Sequence, residues 1–247
     1  MVAMASARVR EYAGAFLAVP VRQQTYLNLL YLSLSLPLGF AYLLFVALGV
    51  GLGVGLAVVL VGVPLLLGVL VVALGLGSLE RALAAFLLDL DVEARAFDAD
   101  ASITERAVAL ATDVGTWKTV VYLPTKFALG LATLVVGTGV IATGVSMLLV
   151  PLYYHEPGLY VGVVSDRPVE LHPTLYVAWD TLLVGFEAVW TLGAWRVSTL
   201  AEAVVVAALG ALLLLAGLHI TNALARVSKW YTAFMLADAY DVLGVGR

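Results

Sequence analysis

The chain has 247 residues, a formal net charge of −4 and no cysteine. Hydrophobic residues make up 63% of it and charged residues only 12%, with a mean hydropathy of +1.04, whereas a soluble domain has about 45–50% apolar and about 25% charged residues. This composition excludes an ordinary water-soluble domain and predicts a chain embedded in lipid. The lack of cysteine excludes disulfides and thiolate metal sites.

Long charge-free runs predict an all-α integral membrane protein with four transmembrane helices. The first run, 23–79, has 57 residues and holds two helices, because one bilayer crossing takes about 20 apolar residues. The run is too long for a signal peptide and has no cleavage site after a short apolar core. The runs 127–154 and 203–225 fit one helix each. The predicted helices are 27–48, 55–78, 118–150 and 201–225.

The first turn is predicted at 49–55, "GVGLGVG", because glycine at every second position weakens a helix. The same glycines, Gly49 with Gly53 and Gly51 with Gly55, also have the four-residue spacing that lets helices approach closely. The glycine run lacks the dinucleotide fingerprint and the P-loop lysine, so nucleotide binding has no support.

The basic residues predict the orientation. Eleven of them lie before the first helix, in the stretch from the end of the second helix to the start of the third, or after the fourth, and two lie in the loop 151–198. This distribution places both termini in the cytoplasm and the loop outside the cell membrane. The predicted parts are a cytoplasmic segment (1–26), a first pair with its exit helix and acidic linker (27–116), a second pair with its exit helix (117–236) and a tail (237–247).

The linker 80–113 holds eight carboxylates against three arginines. The pattern is typical of a hydrated cytoplasmic segment. Acidic loops, only three lysines and frequent Ala, Val and Gly also fit the salt-adapted proteome of a halophilic archaeon.

Two phrases 91 residues apart predict an internal repeat: "YLSLSLPLG" (31–39) and "YLPTKFALG" (122–130). The exits also match, since "LERALAAFLLDLDV" (79–92) and "LARVSKWYTAFMLADAYDV" (224–242) share Leu-x-Arg and Ala-Phe-x-Leu. We interpret the pattern as duplication of a helical pair that is followed by an amphipathic cytoplasmic helix. Because both copies start in the cytoplasm, the expected topology is parallel. In the first exit helix, Leu79, Leu83, Phe86 and Leu87 form the expected apolar face, away from Glu80 and Arg81.

The sequence resembles a known family through four phrases in order. They are the Tyr-Leu-x-Leu opening that ends in Leu-Pro-Leu-Gly, the exit "SLERALAAFLL", a second half that opens on "TWKTVVYLPTKFALG", and "WRVSTLAEAVVV" before the last helix. These resemble the Putative sensor domain family over about 22–236. It is a four-helix membrane module found before actinobacterial histidine kinases and alone in haloarchaea. The resemblance implies a sensing role and no catalytic residues. With no kinase after residue 247, the signal is expected to pass to a separate partner.

The loop 151–198 is the predicted sensory surface. The turn "SDRP" (165–168) lies between Val-, Tyr- and Leu-containing stretches, which favours a short β-hairpin. Apolar residues from Leu175 to Trp190 recur at helical spacing, which favours a helix on the outer leaflet that caps the bundle. The alternative is a ligand pocket formed by Trp179, Asp180, Glu187, Trp190 and Trp195.

Three polar residues lie within or at the ends of the predicted spans. Lys126 is expected to bury its methylenes and lift its ammonium to the headgroups, or else to pair with an anionic lipid or an acidic neighbour. His219 and Asn222 are functional candidates by position, although interhelical hydrogen bonding also explains them. His155, His172 and Glu156 are too scattered for a metal site, so no metal or cofactor is expected.

The function predicted first is a sensory or regulatory membrane module, with no enzymatic activity and no nucleic-acid partner. A homo-oligomer or a separate signalling partner is expected. The alternative is a structural subunit of a larger membrane assembly. A small transporter ranks third, because charge within the spans is nearly absent.

Overall fold

The computed structural model describes residues 14, 16, 18–93, 95–96, 102–156 and 197–241, together with the backbone of six strands between 160 and 196. Helices dominate this part of the chain. They are α1 (Gln23–Gly55), α2 (Gly62–Leu88), α3 (Ile103–Thr112), α4 (Val114–Val136), α5 (Thr143–Leu148), α6 (Val150–Tyr153) and α7 (Leu200–Leu236). A π-helical segment, Gly137–Ala142, joins α4 to α5. Short 3-10 turns cover Val19–Val21 and Leu56–Val59.

Four helices are long and apolar enough to cross a membrane, which confirms the predicted number. They are Gln23–Val59, Gly62–Leu88, Val114–Leu148 and Leu200–Leu236. Contacts divide the chain into two compact units, which are described one at a time: residues 1–143 with 213–247, and residues 144–212.

The predicted turn at 49–55 is wrong. Helix α1 continues to Gly55, and the chain reverses six residues later, after Leu60 with its φ of 63°. The glycines act in packing instead: a methyl group added at Gly49 would lie 2.8 Å from a methyl of Val69 on α2. Glycine therefore brings α1 and α2 close together, because the tertiary contact outweighs its low helix propensity.

The exit helices are not separate elements. Each continues its spanning helix without a break: α2 ends at Leu88 and is followed by Asp89 in the left-handed conformation with φ 53°, and α7 ends at Leu236. The predicted apolar face of the first exit is also wrong. Glu80 is fully buried and Arg81 is 7% exposed, whereas Phe86 is 80% exposed.

Helices α1 and α4 cross with their backbones in contact. A side chain at Gly39 would overlap the backbone of Phe127, and one at Gly130 would overlap the backbone of Leu36. The two contacts are equivalent in the repeat, because Gly130 lies 91 residues after Gly39 and Phe127 lies 91 residues after Leu36. As α1 advances from Leu36 to Gly39, its contact on α4 moves back from Gly130 to Phe127, so the two helices cross in opposite directions.

Helices α2 and α4 run in the same direction. A methyl group added at Gly77 would lie 2.7 Å from Thr119 Cγ2, and one turn later Tyr122 reaches Glu80. The two helical pairs therefore pack head to tail. The parallel topology predicted from the sequence means that both pairs start from the same membrane face. The head-to-tail packing of the two pairs counts against this prediction. Sequence repetition alone does not distinguish parallel from head-to-tail pairs. Two identical sequences can be related by a two-fold axis along the helices or by one across them.

The unit 144–212 holds a small core and a set of strands. Val150, Val197, Ala203 and Val206 form the core. The strands are β1 (Tyr160–Gly162), β2 (Val169–Leu171), β3 (Thr174–Trp179), β4 (Leu182–Glu187), β5 (Trp190–Leu192) and β6 (Ala194–Arg196). They pair antiparallel as β3 with β4, β2 with β5 and β1 with β6, so the pairs are nested.

Two predictions for this segment are wrong. The outer-leaflet helix is absent from the described residues, since β3 and β4 occupy its position. The predicted hairpin at 165–168 fails because its flanks, β1 and β2, pair with β6 and β5. Half of the residues of β3 and β4 are β-branched or aromatic, and such residues favour strands once a partner strand exists.

Candidate functional site

A buried ion pair lies among the spanning helices. Lys126 Nζ of α4 is 2.7 Å from Glu80 Oε2 of α2, and the two side chains are 2% and 0% exposed. The ammonium also lies 3.9 Å from the centre of the Tyr31 ring on α1, at a distance typical of cation–π attraction. The expectation that Lys126 snorkels to the headgroups is therefore wrong. The alternative, pairing with an acidic neighbour, is what the structure contains.

Hydroxyl groups extend the ion pair to the fourth spanning helix. Tyr122 Oη donates to Glu80 Oε2 at 3.3 Å and lies 3.0 Å from Thr232 Oγ1 of α7. Tyr31 Oη lies 3.4 Å from the same Thr232 oxygen and 3.5 Å from Tyr122 Oη. All four spanning helices thus contribute to one buried polar network, which we call the Lys126–Glu80 network.

Local helix geometry places these groups together. Thr119, Tyr122 and Lys126 follow one another at spacings of three and four residues, so they share one face of α4. That face is buried: Thr119 is 0%, Tyr122 1% and Lys126 2% exposed. Tyr31 and Tyr122 are the residues that open the two repeated phrases, and their hydroxyls meet each other.

One polar atom of the Lys126–Glu80 network has no partner within the described residues. Glu80 Oε1 is buried and makes no hydrogen bond there. A buried ion pair costs several kcal/mol of desolvation per ion, which the mutual attraction and the hydrogen bonds offset only when the geometry is good. Any helix movement that separated Lys126 from Glu80 would leave a charge in an apolar interior. The arrangements of the four helices are therefore energetically coupled.

Further ion pairs lie where α2 and α7 end. Arg81 Nη2 is 3.8 Å from Asp241, Lys118 is 3.0 Å from Asp238, and Arg95 is 3.4 Å from Asp113. The pairs of Lys118 and Arg95 are partly exposed and contribute little to stability, whereas Arg81 and Asp241 are largely buried. They nevertheless tie the linker and the residues after α7 to the helix ends.

The linker helix α3 begins with a capping box. Ser102 accepts from the Glu105 backbone, and the Glu105 side chain accepts from the Ser102 backbone. The hydrogen bond from the Ser102 hydroxyl, followed by that from the Ser102 backbone N–H, lowers the pKa of Glu105 below its usual value.

The two polar candidates near the end of the last charge-free run both bond to other segments. Asn222 Oδ1 accepts from Asn28 at 2.7 Å, and its amide donates to Thr25 at 3.2 Å, both on α1. His219 stacks on Phe16, with ring centres 4.1 Å apart, and contacts the Phe16 carbonyl oxygen at 3.2 Å. For Asn222, the structural alternative of interhelical hydrogen bonding is confirmed.

Four of the five candidates of the loop are described, and only through the backbone. Trp179 pairs with Leu182, Glu187 with Thr174, Trp190 with Leu171 and Trp195 with Val161 in the strand registers. Asp180 and His172 lie outside the described residues, as do the side chains of the other candidates. The pocket at these positions stays a prediction.

Sequence reasoning missed Glu80 as a site residue. A usable signal was present: Glu80 directly follows the first charge-free run and Lys126 directly precedes the second. Opposite charges at the two boundaries are natural partners if the runs pack together. No group of three metal-ligating side chains converges among the described residues.

Comparison with known proteins gives one match. The sequence matches the family described as "Putative sensor" over residues 31–236. The chain belongs to this family. The match begins at Tyr31 and includes all five residues of the Lys126–Glu80 network. No curated protein and no solved structure matched the chain.

Proposed function

We propose that this member of the family is a sensory or regulatory membrane module that passes the state of segment 151–198, or of the bilayer, to a separate cytoplasmic partner. The family supports a sensory role. The observation that carries the proposal is the Lys126–Glu80 network, because it couples four helices through one buried ion pair. A stimulus that shifts one helix must then shift the others or break the pair.

The proposed site of action is the plasma membrane, with both termini in the cytoplasm. The eleven-to-two distribution of basic residues supports this orientation. The proposed orientation implies that positions 59 and 165 are both accessible from outside the cell. The chain has no cysteine, so single cysteines at 59 and 165 can be labelled in intact cells by a membrane-impermeant maleimide. Labelling of both supports the proposal, and labelling of only one would contradict it.

Complementation of a deletion strain tests the function itself. We expect a chain in which a short Gly-Ser linker replaces 160–196 to insert normally but to leave the transcriptional profile of the deletion unrepaired. The matched control replaces residues 97–100, in the linker before α3, by the same type of insert. Full repair by the chain that lacks 160–196 would contradict sensing through this segment.

Crosslinking in native membranes addresses the partner. Single photo-reactive residues at exposed positions near the end of α7, such as Phe234, should capture a substoichiometric signalling protein. A fixed-ratio complex that survives gentle detergent extraction would instead indicate a structural subunit.

A further inference from the structure

A polar groove lies where α2 ends, between α1 and α7. It has a volume of about 240 Å³ and is lined by Gln24, Asn28, Leu88, Asp89, Ala225, Arg226 and Lys229. The groove is separate from the Lys126–Glu80 network, and none of the predicted site residues lines it.

The groove carries more positive than negative charge. Its two cations, Arg226 and Lys229, face one carboxylate, Asp89. The Lys229 ammonium donates to the carbonyls of Leu88 and Asp89, which leaves one of its three N–H groups available. Arg226 Nε donates to the Asn222 carbonyl at 3.4 Å, and its terminal amino groups have no partner among the described residues. The groove therefore offers donors to an anion.

Polar acceptors and donors on α1 form the opposite side. The Gln24 amide donates to Asn28 Oδ1 and to the Leu87 carbonyl, each at 2.9 Å. Its own oxygen accepts no hydrogen bond from the described residues. A ligand that combines a phosphate with a hydroxyl would use both sides, with the phosphate on Arg226 and Lys229 and the hydroxyl on Gln24.

The surroundings of the groove are those of a membrane–water boundary. Phe86 on α2 and Trp230 on α7 are 80% and 67% exposed, and both lie within four residues of groove residues. Aromatic and basic side chains gather at this level of a bilayer. Both helices belong to the spanning set, so a lipid headgroup can reach the groove directly.

We propose that this groove binds the headgroup of an anionic glycerophospholipid and that its occupancy is a stimulus of the module. The binding site stands on its own geometry, and only its role as a stimulus rests on the proposed function. Lys229 holds the end of α2 and Arg226 lies one turn earlier on α7, so a bound phosphate would act beside the contact of α2 with α7. Glu80 and Thr232 of the Lys126–Glu80 network lie on the same two helices.

Lipid retention by the full chain tests the binding site. The protein is reconstituted with equal amounts of phosphatidylglycerol and phosphatidylcholine, extracted gently and examined by native mass spectrometry. We expect preferential retention of phosphatidylglycerol, reduced about fivefold in Arg226→Gln, since one basic residue near an anionic surface accounts for about that factor in affinity. Lys118→Gln, at a basic residue paired with Asp238, is the control and should retain the lipid.

Each outcome has a definite meaning. Equal retention of the two lipids, or unchanged retention in Arg226→Gln, overturns the proposal. Displacement of the lipid by inorganic phosphate would assign the site to a soluble anion and also overturn it. Normal lipid retention combined with a normal cellular response in Arg226→Gln likewise overturns it. Loss of retention without any change in cellular response keeps the site and removes its role as a stimulus.

Discussion

The contact of α2 with α4 and the contact of α7 with α1 occupy equivalent positions in the repeat but differ in polarity. In the first, Gly77 packs on Thr119, and Glu80 pairs with Lys126. In the second, the equivalents of Gly77 and Thr119 are Asn222 and Asn28, which hydrogen-bond at 2.7 Å.

The equivalents of the ion pair carry no charge. Ser35 occupies the position of Lys126, and its hydroxyl donates to the Tyr31 carbonyl of its own helix. Ala225 occupies the position of Glu80 and packs in the cluster that contains Tyr31 and Leu32. A neutral version of this interface therefore packs well, so a closed bundle does not require the charges. This difference favours a role for the ion pair in coupling the helices over a role in simply holding them.

Breaking the charged contact from one side should have the largest effect. In Lys126→Met, Glu80 stays buried without a counter-ion, and we expect the free energy of unfolding to fall by about 3–5 kcal/mol. The double variant Lys126→Met/Glu80→Leu imitates the neutral contact and should be within about 1 kcal/mol of the wild type. Denaturant titration of the reconstituted proteins measures both. Equal losses in the single and double variants would contradict the comparison.

The reciprocal crossing should respond equally in its two halves. Gly39→Ala and Gly130→Ala each place a methyl group into the opposing backbone, and we expect each to lower the free energy of unfolding by about 3 kcal/mol. Gly51→Ala is the matched control, because a methyl group there has nothing within 4 Å. The same titration applies. A large effect at only one of the two glycines would show that the halves do not share one packing frame.

The two repeat tyrosines should differ modestly. Tyr122→Phe removes the hydroxyl that bonds Glu80 and Thr232, at an expected cost of about 1 kcal/mol. Tyr31→Phe should cost less, because its hydroxyl contacts are 3.4 and 3.5 Å long. A double-mutant cycle measures whether the two hydroxyls interact. A larger loss of stability for Tyr31→Phe than for Tyr122→Phe would contradict this expectation.

The smallest effect is expected in the linker. Because the folded pKa of Glu105 is lowered from 4.5, its capping interaction is fully present above that value and is lost as the pH falls through the lowered folded pKa. On acidification, the protection of the amides at the start of α3, measured relative to their intrinsic exchange rates, should therefore fall. In Glu105→Gln the protection of the same amides should not show this pH-dependent step, because the side chain does not titrate. Identical pH profiles in the two proteins would contradict the assignment.

Composition and charge-free runs determined that the chain is embedded in lipid and how many spanning helices it has, and the repeated phrases marked Gly39 and Gly130 as equivalent positions. These features follow from local chemistry: lipid demands about 20 apolar residues per crossing, and two backbones approach closely only at small residues. The glycine run at 49–55 was misread as a turn for the same reason, because local propensity does not reveal the neighbouring helix.

Only the tertiary structure decided that Lys126 meets Glu80, that the pairs pack head to tail and that residues 174–187 form strands. Each depends on a partner far away in the chain. A lysine at a span boundary is stable either at the headgroups or against a buried carboxylate, and an apolar stretch is stable on a membrane surface or beside another strand. The sequence allows both states in each case, and the contact that forms selects one of them.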